Sequence, residues 1–591
     1  MAIKEDILAY LHEEKDIILA EQEAAKQWTV EEKIEKGILI HQAKLIEIEH
    51  RETAGYKLLT FEVEENNSKF RSGDAIHIVS DDMVTEAMMI ENGLHNISLQ
   101  IPDSVDIVVD KNYDLIAVGF CLLDNIIDLL EEIVPGATGN AFLQRISFDP
   151  SERSEYPIEK PVMDEQKTVY EQAEKIASSV PDTRIFCIQG PPGAGKTTLL
   201  AKVTQKLLAS QKKILIVANT HQAVNNALNA ALKASPDKFV AKVGHWLKRD
   251  NILPGVRHYK NLWTCASAMR NEKEKNAVVG MTFLSAVIEV GLSNNNQGRY
   301  GFIPDVVLID EASQIPLPYA SVLGRFRAPS TIFFGDEKQM PPIFRTELRN
   351  SNLCISIFEH LKNLYPEFSV TLDKTFRMNG EICDCIQHYF YPEVDLQPYS
   401  AEISQRRFSM ELNGISEHPI KAIRDVFNKD TSIQILQSDN TSSTDCNDEE
   451  ALMIREIVTE SKKLLKDNWN KRIAVITPYR RQVRLIRSLL LAADIPLKEM
   501  PLVDTVERLQ GQQVDMIILS FCSSDPSYIN DVAGFLFDIN RTNVMISRAK
   551  TKVVILASPN VINFSASGRI CNLLQNYSAV MSKNESINDF C

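Results

Sequence analysis

No apolar run in the 591-residue chain reaches the length that a bilayer span needs, and the opening Met1-Ala-Ile-Lys-Glu-Asp lacks the basic-then-apolar pattern of a signal peptide. The expectation is a cytoplasmic protein without a membrane partner, a nuclear location being left open. Cysteine is sparse: ten are scattered with no Cys-x-x-Cys pair, which argues against a disulfide framework and against a zinc or iron–sulfur module. Cys383, Cys385 and His388 come nearest to a metal cluster, but they share a helix-like segment and read as packing residues. Positive charge is short as well, with 64 Lys and Arg against 79 Asp and Glu for a net charge of -15. That balance disfavours a surface coated by nucleic acid, yet it permits a basic groove on an acidic body, because phosphate contacts are local. There is no internal repeat, and low complexity is confined to short polar stretches at 294–297 and 438–448.

What is present is ordinary soluble composition, 44% hydrophobic and 24% charged, over a length that calls for several domains. Residues 1–36 place Ile7, Leu8, Leu11, Ile17 and Ile18 at helical spacing, then Trp28 and Ile34, and predict one amphipathic helix ending at Gly37. From residue 38 to 109 the pattern changes to short strand-like runs at 38–48, 57–63, 75–79, 96–99 and 106–109, which predicts a small β-barrel over 37–112. Such a barrel serves either as a single-strand binder or as a spacer. Helical periodicity over 113–134 predicts a second stalk helix within a 113–150 linker. Beyond it, strand runs alternate with helical stretches: 185–188, 214–218, 277–280, 306–309 and 331–334, then 433–436, 473–476, 516–520 and 553–556. Alternation of this kind predicts α/β architecture with two parallel-sheet domains, 151–365 and 366–578, and a loose polar tail from 579.

The chemistry centres on Phe186-Cys-Ile-Gln-Gly-Pro-Pro-Gly-Ala-Gly-Lys-Thr-Thr198, a buried strand, a glycine-rich turn and the start of a helix. This is a complete P-loop. The turn Gly190, Pro191, Pro192, Gly193, Ala194 and Gly195 would wrap phosphate oxygens, its non-proline residues turning N–H groups inward, aided by the partial positive charge of the helix N-terminus. Lys196 would reach the β- and γ-phosphates, Thr197 would hold Mg²⁺, and Thr198 completes the cradle. Downstream, Val306-Val-Leu-Ile-Asp-Glu-Ala-Ser313 ends a strand in paired carboxylates at the sheet edge where α/β proteins bind ligands. There Asp310 would hold Mg²⁺ through water, and Glu311 is placed as general base for an attacking water. Phe334-Gly-Asp-Glu-Lys-Gln-Met-Pro-Pro342 ends another strand, with Gln339 placed to report on a γ-phosphate.

These segments, followed by Leu372-Asp-Lys-Thr-Phe-Arg-Met-Asn379, Val475-Ile-Thr-Pro-Tyr-Arg480, Asp504-Thr-Val-Glu-Arg-Leu-Gln-Gly511 and Arg541-Thr-Asn-Val-Met-Ile-Ser-Arg-Ala-Lys550, resemble superfamily 1 helicases. The similar branch is the one containing the nonsense-decay RNA helicase and senataxin. The resemblance covers roughly residues 160 to 560, and more loosely the N-terminal stalk and barrel. It implies two RecA-like domains around ATP, with Arg377 and Arg548 as arginine fingers, Phe376 stacking on adenine and Gln166 reading its edge. It also implies one nucleic-acid strand bound across both domains at Thr220, Thr282, Pro341 and Thr505, through backbone-directed contacts that position rather than specify. The chain departs from the family in four ways. Thr-Phe-Arg-Met-Asn replaces Gln-Tyr-Arg-Met-His. Gln510-Gly-Gln-Gln513 ends in an amide, where the family has a carboxylate thought to meet the ribose. Between 243 and 276 there is only a short segment in place of a helical insertion, and the nonsense-decay enzyme's cysteine-rich module is absent.

The reading is therefore an ATP- and Mg²⁺-dependent helicase or translocase on single-stranded DNA or RNA, 5′ to 3′ by the branch resemblance, with a nuclease or other accessory protein as possible partner. Two alternatives stand beside it. One is an ATP-dependent clamp that recruits other factors without unwinding, and the other is a protein-remodelling ATPase.

Overall fold

In the computed structural model the described residues are 2–51, 56–63, 66, 68, 70, 75–80, 83–92, 96–118, 122–133, 140–149, 168–178, 184–244, 251–294, 302–349, 351–408, 420–465, 468–509 and 512–578. Among them no helix is long and apolar enough to cross a membrane.

The single N-terminal helix expected from periodicity is two. Ala2–Lys26 stops before a capping box in which Thr29 and Glu32 exchange side-chain and backbone hydrogen bonds (2.8 and 3.2 Å) and start Val30–Glu35 afresh. The next six strands close an antiparallel barrel in the order Leu39–Arg51, Tyr56–Glu62, Asn96–Pro102, Met83–Asn92, Ala75–Ser80, Asn112–Val118, the last pairing back to the first. Leu45, Leu59, Phe61, Ile78, Leu99 and Leu115 fill it. The barrel is as expected, but three of its elements are not, the strand Met83–Asn92 having no counterpart among the expected runs. Residues 106–109 form a loop, tied to the wall where Tyr113 Oη donates to the Val108 carbonyl (3.0 Å) and accepts from its N–H (3.1 Å). Tyr113 and Leu115 alternate inward on the closing strand instead of opening a helix, and the helix there is Leu122–Glu131.

That helix packs with Ala2–Lys26 through Ile3, Ile7, Leu11, Ile126 and Leu130. Lys15 meets Asp124 at 2.5 Å. The pair is seated on the first lobe, sharing a core with Leu317 and Leu323, and Tyr319 donates to Glu14 at 3.0 Å.

The first lobe is an eight-stranded, all-parallel sheet in the order Arg257–Tyr259, Phe239–Val243, Ala277–Thr282, Ile214–Ala218, Val306–Asp310, Ser330–Gly335, Arg184–Gln189, Ser369–Thr371. Successive residues serve opposite faces. Phe186 and Ile188 face Leu199 and Val203 of the helix Lys196–Ala209, while Ile185 and Cys187 face the side that carries the N-terminal helices. Ser369–Thr371 lies beyond the boundary expected at residue 365. A three-residue strand reached through a 3₁₀ turn leaves too short a signature to read.

The second lobe is a five-stranded parallel sheet ordered Ile433–Gln437, Ala549–Ala557, Val514–Ser520, Ile473–Ile476, Leu502–Asp504, again cored on both faces. Met340, from the loop that leaves the first sheet, is buried in the second lobe's core. Residues Arg257–Tyr259 and Leu262–Asn271 occupy the segment expected to be short, as one strand and one ten-residue helix.

Candidate active site

The P-loop runs from the strand Arg184–Gln189 into the helix Lys196–Ala209. Gly193 and Gly195 adopt φ of +73° and +81°, a region in which a Cβ would be strained. Space forbids one too, since a Cβ on Gly193 would come within 2.6 Å of Arg377 Cβ and Thr375 Oγ1. Gly195 caps the helix without a side-chain hydrogen bond, so the first-turn N–H groups are open to an anion. Lys196 Nζ donates to the Gly190 carbonyl at 2.7 Å.

Against this loop lies the segment Thr375-Phe376-Arg377, held by a two-residue ladder between Lys374–Thr375 and Gln397–Pro398. Phe376 N–H donates to the Gly193 carbonyl (2.8 Å) and Thr375 Oγ1 to the Pro192 carbonyl (3.0 Å). Arg377 Nη1 reaches on to the Ser547 carbonyl at 2.9 Å, one residue before Arg548. Both arginines lie in the electrostatic field of Glu311. Burial, then the neighbouring Arg548, pushes Arg377 down to about 9, while Glu311 opposes the shift. Burial lowers Arg548 as well. The Nε atoms of both are buried with no hydrogen-bond partner among the described residues, which leaves two donors unused in a low-dielectric cleft.

Asp310 ends its strand fully buried. Burial and Glu311 raise its pKa, and Lys196 and the Glu311 N–H, 3.0 Å from Oδ1, hold it down. Glu311 itself sits at φ +53°, an uncommon conformation for a residue with a side chain, of the kind found at functional sites. The loop cradle, three cations and two unused donors fit a polyphosphate. Half-buried Thr197 and buried Asp310 supply the hard oxygen donors that a Mg²⁺ ion takes.

On the outer side, a cavity of about 490 Å³ is lined by Phe376, Arg377, Arg406, Arg472, Gln513 and Lys550. Gln513 and Phe376 thus line the same cavity. Phe376 stacks on Tyr399 with centroids 4.4 Å apart, both rings part-exposed (39% and 61%). Gln166 lies outside the described residues.

Gln339 donates to Asp336 Oδ2 at 2.6 Å, and Tyr391 of the second lobe donates to the same oxygen at 2.6 Å. Gln189 reaches Oδ1 at 3.2 Å, and Asn543 Nδ2 donates to Tyr391 Oη at 2.9 Å. Sequence reasoning missed Asp336, Tyr391, Asn543 and Tyr399. Asp336 stood inside a quoted motif, but its partners are remote in sequence.

The residues expected to touch nucleic acid occupy strand ends and loops of both lobes. Thr220 caps the helix His221–Ala234 by accepting from Ala223 N–H at 3.2 Å, directly after the strand Ile214–Ala218. Thr282 is buried, its hydroxyl 2.9 Å from that of Ser285. Pro341 is exposed on the connecting loop, and Thr505 follows the strand Leu502–Asp504, its N–H on Asp504 at 2.8 Å.

The fold and site define a P-loop NTPase with two parallel-sheet lobes closing on one cleft. Residues 172–345 and 353–560 each match a family described as AAA domain. The chain is 27% identical over 496 residues to an uncharacterized ATP-dependent helicase of Methanocaldococcus jannaschii, covering 69% of this chain and 71% of that protein. It is 28% identical over 421 residues to the DNA replication ATP-dependent helicase/nuclease dna2 of Schizosaccharomyces pombe (68% of this chain, 28% of that one) and 28% identical over 397 residues to the human protein DNA2 (64% and 36%). The chain is thus similar in sequence to proteins named as ATP-dependent helicases. It spans most of the archaeal relative but 28% and 36% of those two helicase/nuclease relatives. A solved arterivirus nonstructural protein 10 helicase aligns over 90% of this chain and 80% of its own at 13% identity and a TM-score of 0.40, too distant a likeness to add to the assignment.

Proposed function

We propose that this chain is an ATP-driven translocase and helicase on single-stranded nucleic acid, DNA being favoured by the replication role in the names of two relatives. One observation carries the proposal: half-buried Arg377 and buried Arg548 of the second lobe lie in the field of Glu311, each with a buried Nε donor to spare. In this reading Lys196 and the residues 190–195 hold the phosphates, Thr197 and Asp310 hold Mg²⁺, and Glu311 accepts the proton of the attacking water. Bound Mg²⁺ would neutralise charge on the phosphate oxygens. Arg377 and Arg548 stabilise charge on the transferred group, Gln339 senses the terminal phosphate, and Phe376 supports the base with Gln513 at the sugar edge.

Lobe closure then alternates the grip of Thr220, Thr282 and Pro341 with that of Thr505, moving the chain 5′ to 3′. A nuclease acting on the same strand is the proposed partner, since the helicase/nuclease relatives combine both activities in name.

The test is hydrolysis and strand displacement on 5′- and 3′-tailed duplexes, with Lys196→Ala as control. The expected result is strand-stimulated ATP hydrolysis and displacement from the 5′ tail, both lost in the variant. Turnover unchanged by Lys196→Ala would refute the site. Stimulated hydrolysis without displacement from either tail would leave an ATPase that is not a helicase.

A further inference from the structure

The contact between the lobes includes a buried polar chain that the roles above leave unused. Tyr391 ends the helix Gly380–Phe390, and its ring is fully buried in the second lobe's core. Its hydroxyl crosses to the first lobe and donates to Asp336, which is also fully buried. Burial and the Asp336 charge keep the phenol protonated, so it remains a donor.

On the first lobe, Asp336 is the point where Gln339, Gln189 and the field of Lys196 converge, with Glu337 as the nearby like charge. Its N–H donates to Ser313 Oγ (3.3 Å), in the loop that follows Asp310 and Glu311. On the second lobe, Asn543 donates both to Tyr391 Oη and to the Lys338 carbonyl (2.6 Å). Asn543 belongs to the helix Ile539–Ser547, whose C-cap is Arg548. The Lys338 ammonium lies 5.3 Å over the Tyr391 ring and pairs with Glu393.

A continuous set of contacts thus runs from the phosphate side of the first lobe, through Asp336, Tyr391 and Asn543, to the helix that carries Arg548. Separating the lobes would leave a buried carboxylate short of a donor and a buried amide short of an acceptor, both costly states. Gln339 has one amide donor group, already engaged on Asp336. If that group turns toward a phosphate, Tyr391 becomes the main cross-lobe support of the carboxylate.

We propose that Tyr391 is a positioning residue that couples Asp336 and Gln339 in the first lobe to the register of Arg548 in the second. The proposal rests on the ATPase reading above, and it concerns turnover rather than nucleotide affinity, because Tyr391 is not among the residues placed around the phosphates or the base.

The experiment is a double-mutant cycle on the full chain, with Tyr391→Phe and Asp336→Asn, read as ATP hydrolysis saturated with oligo(dT) and accompanied by thermal melting. Tyr391→Phe is expected to lower kcat about tenfold or more, the effect of one charge-assisted hydrogen bond, with KM for ATP within about threefold. The double variant should be no slower than the slower single one, because both remove the same link. Multiplying losses, a wild-type kcat in Tyr391→Phe, or a KM effect alone would each overturn the coupling role. If Tyr391→Phe does not fold, Asn543→Ser against Asp336→Asn gives the same cycle and the same criteria. Hydrolysis surviving Lys196→Ala would instead strike at the ATPase reading itself.

Discussion

Replacing Arg377 by Ala should separate activity from stability. Arg377 commits Nη1 to the Ser547 carbonyl, while Nε remains unpartnered in the cleft. Only part of the guanidinium fork is therefore free to meet a transferred phosphoryl group, which puts the loss at the lower end of the range for arginine fingers, about 10³ in kcat. That corresponds to about 4 kcal/mol of transition-state stabilisation at about 1.4 kcal/mol per decade. The folded protein should lose little, because the deleted cation is half-buried near a second cation and is pushed down by both burial and that neighbour. Removing it relieves an unfavourable pairing. The assay is steady-state ATP hydrolysis at saturating oligo(dT), beside the melting temperature of each variant. Arg377→Lys should recover little, since an ammonium cannot reproduce the bond to Ser547 and a second donor in one plane. The double variant with Arg548→Ala should be less than multiplicative, because Arg377 tethers the residue next to Arg548. A kcat within about tenfold of wild type in Arg377→Ala, or a melting temperature lowered in proportion to the activity lost, would refute the reasoning.

Phe376→Ala should raise KM for ATP about tenfold or more, as loss of one base-stacking ring implies, with a smaller effect on kcat, while Phe376→Tyr should be nearly silent; initial rates over a range of ATP concentration check both. Gly193→Ala should abolish hydrolysis, since its Cβ would drive Thr375 and Arg377 off the loop; the readout is nucleotide binding alongside turnover. Glu450 is buried in the second lobe, accepting from Ser520 Oγ (2.6 Å) and Cys522 N–H (3.0 Å), and burial pushes it up to about 8. Its folded pKa lies above its unfolded one, so its contribution to stability is full below the ordinary carboxylate range and is lost as pH rises through about 8. The melting temperature of the wild type should therefore fall relative to that of Glu450→Gln between about pH 6 and about pH 9, and a constant difference would contradict the assignment. Strand affinity should fall linearly on a log–log salt plot, with a slope near −0.7 per phosphate neutralised, and should be nearly indifferent to base sequence.

Much of this was legible because local pattern and chemistry coincide. The runs at 306–309 and 473–476 are apolar throughout, so they could only be strands buried on both faces. Phe239–Val243 escaped because it carries Lys242, an ammonium that reads as surface but is buried and bonded to Asn225 at 2.7 Å. Asn112–Val118 escaped because Asn112 and Asp114 interrupt its short alternation, and the apolar residues on either side continue into a helical spacing. The P-loop and the Asp310-Glu311 pair are contiguous, so residue order alone positions them. Tyr391 and Asp336 are 55 positions apart, and no local periodicity marks a tyrosine at a helix end as a partner for a carboxylate in another lobe. The same holds for Tyr399, which meets Phe376 only because a two-residue ladder folds 397–398 back onto 374–375.

The electrostatics of the cleft explain why both lobes are needed. Lys196 acts on buried Asp310, and Arg377 and Arg548 on the adjoining half-buried Glu311. Each lobe taken alone holds an arrangement that burial disfavours: like-charged guanidinium groups on one side, adjacent carboxylates on the other. Bringing the lobes together sets Glu311 against both arginines, a partial compensation that still leaves their Nε donors unused. A polyanion completes the compensation, so the cleft should favour the closed state in proportion to the negative charge it holds. Loss of that charge should favour opening. The polar contact from Asp336 to Tyr391 works in the opposite sense, giving closure a stabilising term that does not depend on that charge. Its strength should set how readily the lobes part after each turnover, so the same hydroxyl that aligns the arginines also limits the rate at which they withdraw.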